Sequence, residues 1–312
     1  MSEFVSLLSQ HSWLFIALVA VVSLLIGSFL NVLVYRLPKM MEREWQQEYQ
    51  AYFQADAVVS ATDSGKAAGA ANKVNASALG TPERFNLAVP RSACPKCHTP
   101  IAARDNIPVL SWLLLKGRCR HCKAPISSRY PAVEALTAVM SGLVAWQYGF
   151  GTLALVLIFV TWGLIALSFI DIDTMLLPDS LTLPLLWLAL VFSLTDSALV
   201  NPGQAIIGAA AGYLTLWLVY WGFKLLTGKE GMGYGDFKLL AIFGALLGWQ
   251  QLPLIILLSS LVGAVIGASM LAIQGRDKAT PIPFGPYIAA AGFIALLWGE
   301  QLTNAYLSYL GA

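Results

Sequence analysis

Eight runs of mostly apolar residues decide what this chain can become. They cover residues 14–34, 132–148, 153–170, 181–194, 205–226, 237–247, 252–274 and 287–302. A bilayer core about 30 Å thick is crossed by roughly 20 apolar residues in a helix, so most of these runs have the length of a membrane span. The run at 237–247 is short, and the break at 249–253 reads as either a kink or a turn between two helices. Of the 312 residues, 57% are hydrophobic and 12% charged, where a soluble domain carries about 25% charge. That balance excludes a soluble dinucleotide-binding enzyme, a DNA-binding module and a secreted disulfide scaffold. The fold class is therefore an all-α polytopic membrane protein of about eight transmembrane helices. The first run follows thirteen residues with neither a basic leader nor a small-residue cleavage site, so it reads as an anchor rather than a signal peptide.

The cations give the orientation. Fourteen of the nineteen Lys and Arg residues fall within 35–131, and the others are Lys224, Lys229, Lys238, Arg276 and Lys278. With eight spans and an outside amino terminus, all nineteen lie on one side. The opposite turns, 149–152, 195–203 and 248–251, hold none. The positive-inside rule makes the basic side cytoplasmic. A seven-span chain would send Arg276 and Lys278 outside, which favours eight.

The organisation is then a first membrane helix (1–35), a cytoplasmic linker (36–87), a small cytoplasmic domain (88–131) and a seven-helix membrane domain (132–312). Residues 40–54 are charged and compatible with a helix. Residues 55–80, rich in Ala, Gly, Ser and Asn without apolar periodicity, read as a flexible linker. Residues 88–131 are short, dense in Pro and Cys and unable to build a core of their own, and such units usually fold around a metal or a crosslink.

Two CxxC pairs supply that metal site. Cys94-Pro95-Lys96-Cys97 and Cys119-Arg120-His121-Cys122 are separated by 21 residues, and two such knuckles complete a tetrahedral site for structural Zn²⁺. His98 and His121 are alternative ligands, but four thiolates already fill the shell. A redox pair is the rival reading, and no βαβ pattern surrounds either pair.

Of seventeen acidic residues, four sit at apolar-helix ends: Asp171, Asp173 and Asp179, and Asp236 in Gly233-Tyr234-Gly235-Asp236. An ionisable group at membrane depth is costly and signals function by default. Helix capping is the plainer role, and it suits Asp179, which follows Pro178 at a helix start. It suits Asp236 less, because three glycines within five residues exceed what a cap needs. Two carboxyls in a partly dehydrated site share a proton, one acting as base and the other as acid, and such a pair can activate water. Asp171 and Asp173 cannot face each other on a helix, so a working pair needs one acid from each motif.

These motifs resemble the type IV prepilin peptidases. Gly233-Tyr234-Gly235-Asp236 with Phe237, Lys238 and Leu239 is similar to their GxGD signature, and the stretch from Asp171 to Asp179 to their other aspartate motif. The cysteine pairs, residues 106–112 and Gly117 resemble their zinc-bearing domain, and Pro283-Phe284-Gly285-Pro286-Tyr287 resembles the loop before their last helix. The resemblance implies a bifunctional enzyme of the bacterial inner membrane, without nucleic-acid partners. It would cut the basic leader from prepilins and pseudopilins at the cytoplasmic face, then methylate the new amino terminus with S-adenosylmethionine. It implies Asp171 and Asp236 as the proteolytic pair, with Asp173, Asp179, Gly233, Gly235 and Lys238 in support. Gly117 falls where the family's methyl transfer is sensitive. Glu134 or Asp173 would meet the leader, although Glu134 could instead pair with Arg129. The polar connection at 40–85 looks longer than the family's usual one and dispensable. Two competing readings are a presenilin-type protease, which lacks the Cys₄ module, and a cation transporter, whose carboxylates sit nearer mid-membrane, often in inverted repeats.

Overall fold

A computed structural model describes residues 2–63, 85–229, 231–274 and 282–310. The order is α1 (Ser2–Gln10), α2 (Ser12–Asp63), a short α3 (Leu110–Leu114), α4 (Arg129–Tyr148), α5 (Thr152–Thr174), α6 (Asp179–Phe192), α7 (Pro202–Thr227), α8 (Tyr234–Leu247), α9 (Leu252–Gln274) and α10 (Gly285–Leu310). Among the described residues there is no strand, only the bridges Ala93–Pro100 and Arg118–Pro125.

Each apolar run lies on a helix of its own, α2 and α4 to α10. Among the described residues, four segments are long and apolar enough to cross a membrane: Ser12–Phe53, Thr152–Thr174, Pro202–Thr227 and Trp249–Ser269. The break after 247 is a turn, since Gly248 has φ 80° and a 3₁₀ segment, Trp249–Gln251, joins α8 to α9. Arg276 and Lys278, which argued for the eighth span, lie outside the described residues.

Two features go beyond the apolar pattern. Helix α1 precedes the first run. Helix α2 continues well past it to Asp63, with Pro38 inside. Proline has no N–H for the Val34 carbonyl, yet the next stretch is rich in Met, Glu, Gln and Ala, which propagate a helix well. The helix thus enters the stretch read as linker, whose residues 64–84 lie outside the described residues.

Helix α8 is the core of the bundle. Phe237 and every residue from Leu239 to Leu246 are buried, with α6, α7 and α10 packed around it. Gly208 of α7 and Gly244 of α8 permit the closest approach, because a methyl group on either would sit 2.0 Å from the other's carbonyl oxygen. Its fourteen residues span only about 21 Å. A helix enclosed by protein needs no lipid-matched length, which accounts for the short run.

The loop from Phe85 to Ser128 is tied to both flanking helices. Arg36 of α2 is buried and donates through Nη1 to the carbonyls of Asn86 (2.8 Å) and Leu87 (3.3 Å), and through Nη2 to Pro90 (2.5 Å). Glu134 of α4 accepts the backbone N–H of Val109 at 2.7 Å. The C-terminus of α5 and the N-termini of α4, α6, α8 and α10 meet at this same end, joined by the ion pairs Arg129–Asp173 and Lys238–Asp179.

Candidate active site and metal centre

The two cysteine pairs form a near-repeat. Cys94 N–H donates to the Thr99 carbonyl (3.0 Å), and Cys119 N–H to that of Ala124 (2.8 Å). His98 N–H closes back on Cys94 O (2.9 Å), and Lys123 N–H on Cys119 O (3.1 Å). His98 (φ 55°) and Lys123 (φ 58°) occupy equivalent left-handed positions. His98 is thus the turn residue of its knuckle, and the clustered ligand atoms are the four cysteine sulfurs, all within 4.8 Å of one another. Cys94 and Cys122 Sγ are 3.8 Å apart, and Cys97 and Cys119 Sγ 4.0 Å. Tetrahedral ligands at about 2.3 Å from a zinc ion stand roughly 3.8 Å from each other, so the thiols fit a four-coordinate metal.

Around this centre, Arg120 Nε and Nη2 clasp the Asp105 carboxylate at 2.6–3.0 Å, which holds that carboxyl below its ordinary range. Gly117 has φ 64°, and a methyl group there would lie 2.9 Å from the Trp112 ring. The Trp112 indole N–H donates to Ile126 O at 3.1 Å. Gly117 therefore sets the packing that leads into the second knuckle.

The four aspartates separate into two kinds. Asp173 accepts both Nη groups of Arg129 at 2.7 Å, and Asp179 pairs with Lys238 Nζ at 2.5 Å. Both side chains are substantially exposed. Asp171 and Asp236 are only 5% and 6% exposed, and neither takes part in the ion pairs Arg120–Asp105, Arg129–Asp173 and Lys238–Asp179. Asp171 Oδ2 accepts the Gly285 N–H at 2.9 Å, while Asp236 Oδ1 is buried without a hydrogen-bond partner. The two carboxyls are close enough to act on one another electrostatically.

Several sequence expectations change here. Pro178, not Asp179, is the N-cap of α6, and neither Asp179 nor Asp236 makes a side-chain cap. Glu134 does not pair with Arg129, because five residues on a helix point about 140° apart. Glu134 turns to Val109, and Arg129 takes Asp173. That ion pair also occupies the carboxylate that was expected to meet the leader.

The two signature glycines differ. A methyl group at Gly233 would meet ordinary contacts, the nearest at 3.7 Å, whereas at Gly235 it would lie 2.5 Å from Leu177 Cβ. Gly233→Ala is expected to retain activity within about threefold, and Gly235→Ala to lose at least tenfold, since overpacking displaces its surroundings. Initial rates of leader removal by both purified variants check this. Leu177 carried no sequence signal, being one apolar residue in an apolar stretch.

An apolar helical bundle with two buried carboxyls and a four-thiol module at one end defines a class of polytopic membrane protein. Residues 21–148 match the bacterial peptidase A24 N-terminal domain, and residues 158–268 match the type IV leader peptidase family. The chain is 57% identical over 298 residues to the prepilin leader peptidase/N-methyltransferase of Aeromonas salmonicida, covering 95% of each chain. It is 50% identical to the proteins of that name from Stutzerimonas stutzeri, over 98% of each chain, and Pseudomonas aeruginosa, over 97% of each. No solved structure matches. The chain belongs to the type IV leader peptidase family.

Proposed function

We propose that this chain is a bifunctional prepilin peptidase and N-methyltransferase of the bacterial inner membrane, with Asp171 and Asp236 as its proteolytic pair. The observation that carries the reading is the sorting of four candidate acids into two buried carboxyls at one end of the bundle and two exposed ion pairs. A water held between the buried pair loses a proton to one carboxyl while the other protonates the scissile carbonyl, with no covalent intermediate. Asp173 and Asp179 support the site through their ion pairs, and Lys238 ties α8 to α6 beside Asp236.

Eight spans, an outside amino terminus and a cytoplasmic Cys₄ module follow from the cation distribution and the positive-inside rule. The shared end of module and acids agrees with that topology: a pilin precursor carries its basic leader in the cytosol and an apolar helix in the bilayer, so its scissile bond lies at this boundary. Cys94, Cys97, Cys119 and Cys122 would hold a structural Zn²⁺, and four protein ligands leave it no open position for catalysis. S-adenosylmethionine supplies the methyl group when bound. Gly117 acts on that activity through the fold of the module, because any side chain there would collide with the Trp112 ring.

The mass of a prepilin processed by the purified protein with S-adenosylmethionine tests the reading. Loss of the leader together with the added mass of a methyl group is expected. Leader loss alone would leave a protease of the presenilin type, and an uncut substrate would reject the peptidase.

A further inference from the structure

We propose that the amino terminus of α10, through the N–H of Gly285, holds Asp171 as the base of the carboxyl pair, which makes Gly285 a positioning residue for leader removal. The inference rests on the proposed peptidase reading and adds a division of labour within the pair.

The first turn of α10 leaves this donor and no other nearby. Tyr287 and Ile288 N–H groups fold back on the Phe284 carbonyl at 3.0 and 3.2 Å, and Pro286 has no N–H. Gly285 N–H goes instead to Asp171 Oδ2 at 2.9 Å. A backbone donor at a helix start suits a carboxylate. Asp236 offers the contrast: Gly233 gives its carboxyl a backbone N–H, but Oδ1 is buried without a partner, and an unpaired buried oxygen suits the protonated form.

The glycine is dictated by space. A methyl group at Gly285 would lie 2.7 Å from Asp171 Oδ2 and 3.2 Å from Leu177 Cδ1. The same Leu177 side chain blocks a methyl group at Gly235, one residue before Asp236. Leu177 is thus a wedge between the starts of α8 and α10, the helices that carry Asp236 and the donor to Asp171.

The roles follow. The water oxygen bonds to the scissile carbonyl carbon as its proton passes to Asp171, and Asp236 gives its proton to the carbonyl oxygen. As the C–N bond breaks, Asp171 returns the proton to the leaving nitrogen, and Asp236 recovers its own from the collapsing diol. Peptide and water become acid and amine, and both carboxyls end as they began.

The test uses the full-length protein in liposomes with two substrates, an intact prepilin and an already cleaved pilin. Gly285→Ala is expected to lower kcat for leader removal about 10²-fold, the loss typical of a displaced catalytic group, with KM within about twofold. Its methyl transfer to the cleaved pilin should stay at the wild-type rate. Leu177→Ala, which relaxes the wedge without crowding Asp171, is expected to lower leader removal about tenfold with methyl transfer again unchanged. Should Gly285→Ala fail to fold, Leu177→Ala decides alone. Wild-type cleavage by the folded variants, or parallel loss of both activities, overturns the inference. Asp171→Asn separates the two levels: an inert Asp171→Asn beside fully active Gly285→Ala and Leu177→Ala sinks only the role of Gly285, whereas an active Asp171→Asn sinks the acid pair itself.

Discussion

Asn in place of Asp236 is expected to give a folded protein in which leader removal falls by about 10³-fold or more, within the range that general acid–base groups contribute. Asn at Asp171 should do the same. The change preserves side-chain volume, and it leaves the ion pairs Arg120–Asp105, Arg129–Asp173 and Lys238–Asp179 intact, since neither buried carboxyl belongs to them. Asn cannot carry the proton, so chemistry is lost while packing stays. Asp173→Asn and Asp179→Asn form the contrast. Their ion pairs are exposed, and such pairs are worth about 0.2–1 kcal/mol, so those variants should cut within a few-fold of wild type. Time courses of leader removal, with thermal unfolding of each variant, separate the two groups. Near-normal cleavage by either Asp171→Asn or Asp236→Asn would end the assignment.

Removing one thiol of the cysteine cluster is expected to have the largest structural effect. Among residues 85–128 the buried positions are Cys94, Pro108, Ser111, Gly117 and Cys119. None is a Leu, Ile, Val or Phe, so no apolar core can hold the two knuckles together. Structural zinc in modules of this size contributes about 10–16 kcal/mol of apparent folding free energy near neutral pH. Cys94→Ser should therefore lose bound zinc, and the segment between α2 and α4 should become sensitive to protease. The bundle around α8 keeps its packing, because its buried residues come from the membrane helices. Metal analysis and limited proteolysis of the purified variant check both points, and a normal zinc content would refute the Cys₄ assignment.

Much of the architecture could be read along the chain because the relevant physics is local. Each long apolar run became a helix, since a backbone in hydrocarbon must satisfy its own hydrogen bonds. The cysteine spacing was equally legible, because a CxxC turn brings two sulfurs to one side whatever surrounds it. Local signals also failed in places. The continuation of α2 through Pro38 to Asp63 was read as partly linker, because helix propensity in a polar stretch is a weak prior against tertiary context. The pairing of Glu134 with Val109 could not be anticipated, as the donor is a backbone N–H on a distant loop.

The acids mark the division most clearly. Residue type and position at the ends of apolar helices singled out Asp171, Asp173, Asp179 and Asp236 as the ones to watch, since charge beside lipid is costly wherever it occurs. Which of them are buried, and which neutralised, was decided by helices far apart in sequence: Arg129 reaches Asp173, Lys238 reaches Asp179, and Gly285 offers its N–H to Asp171. Burial and partnership are properties of packed neighbours, and no linear pattern carries them.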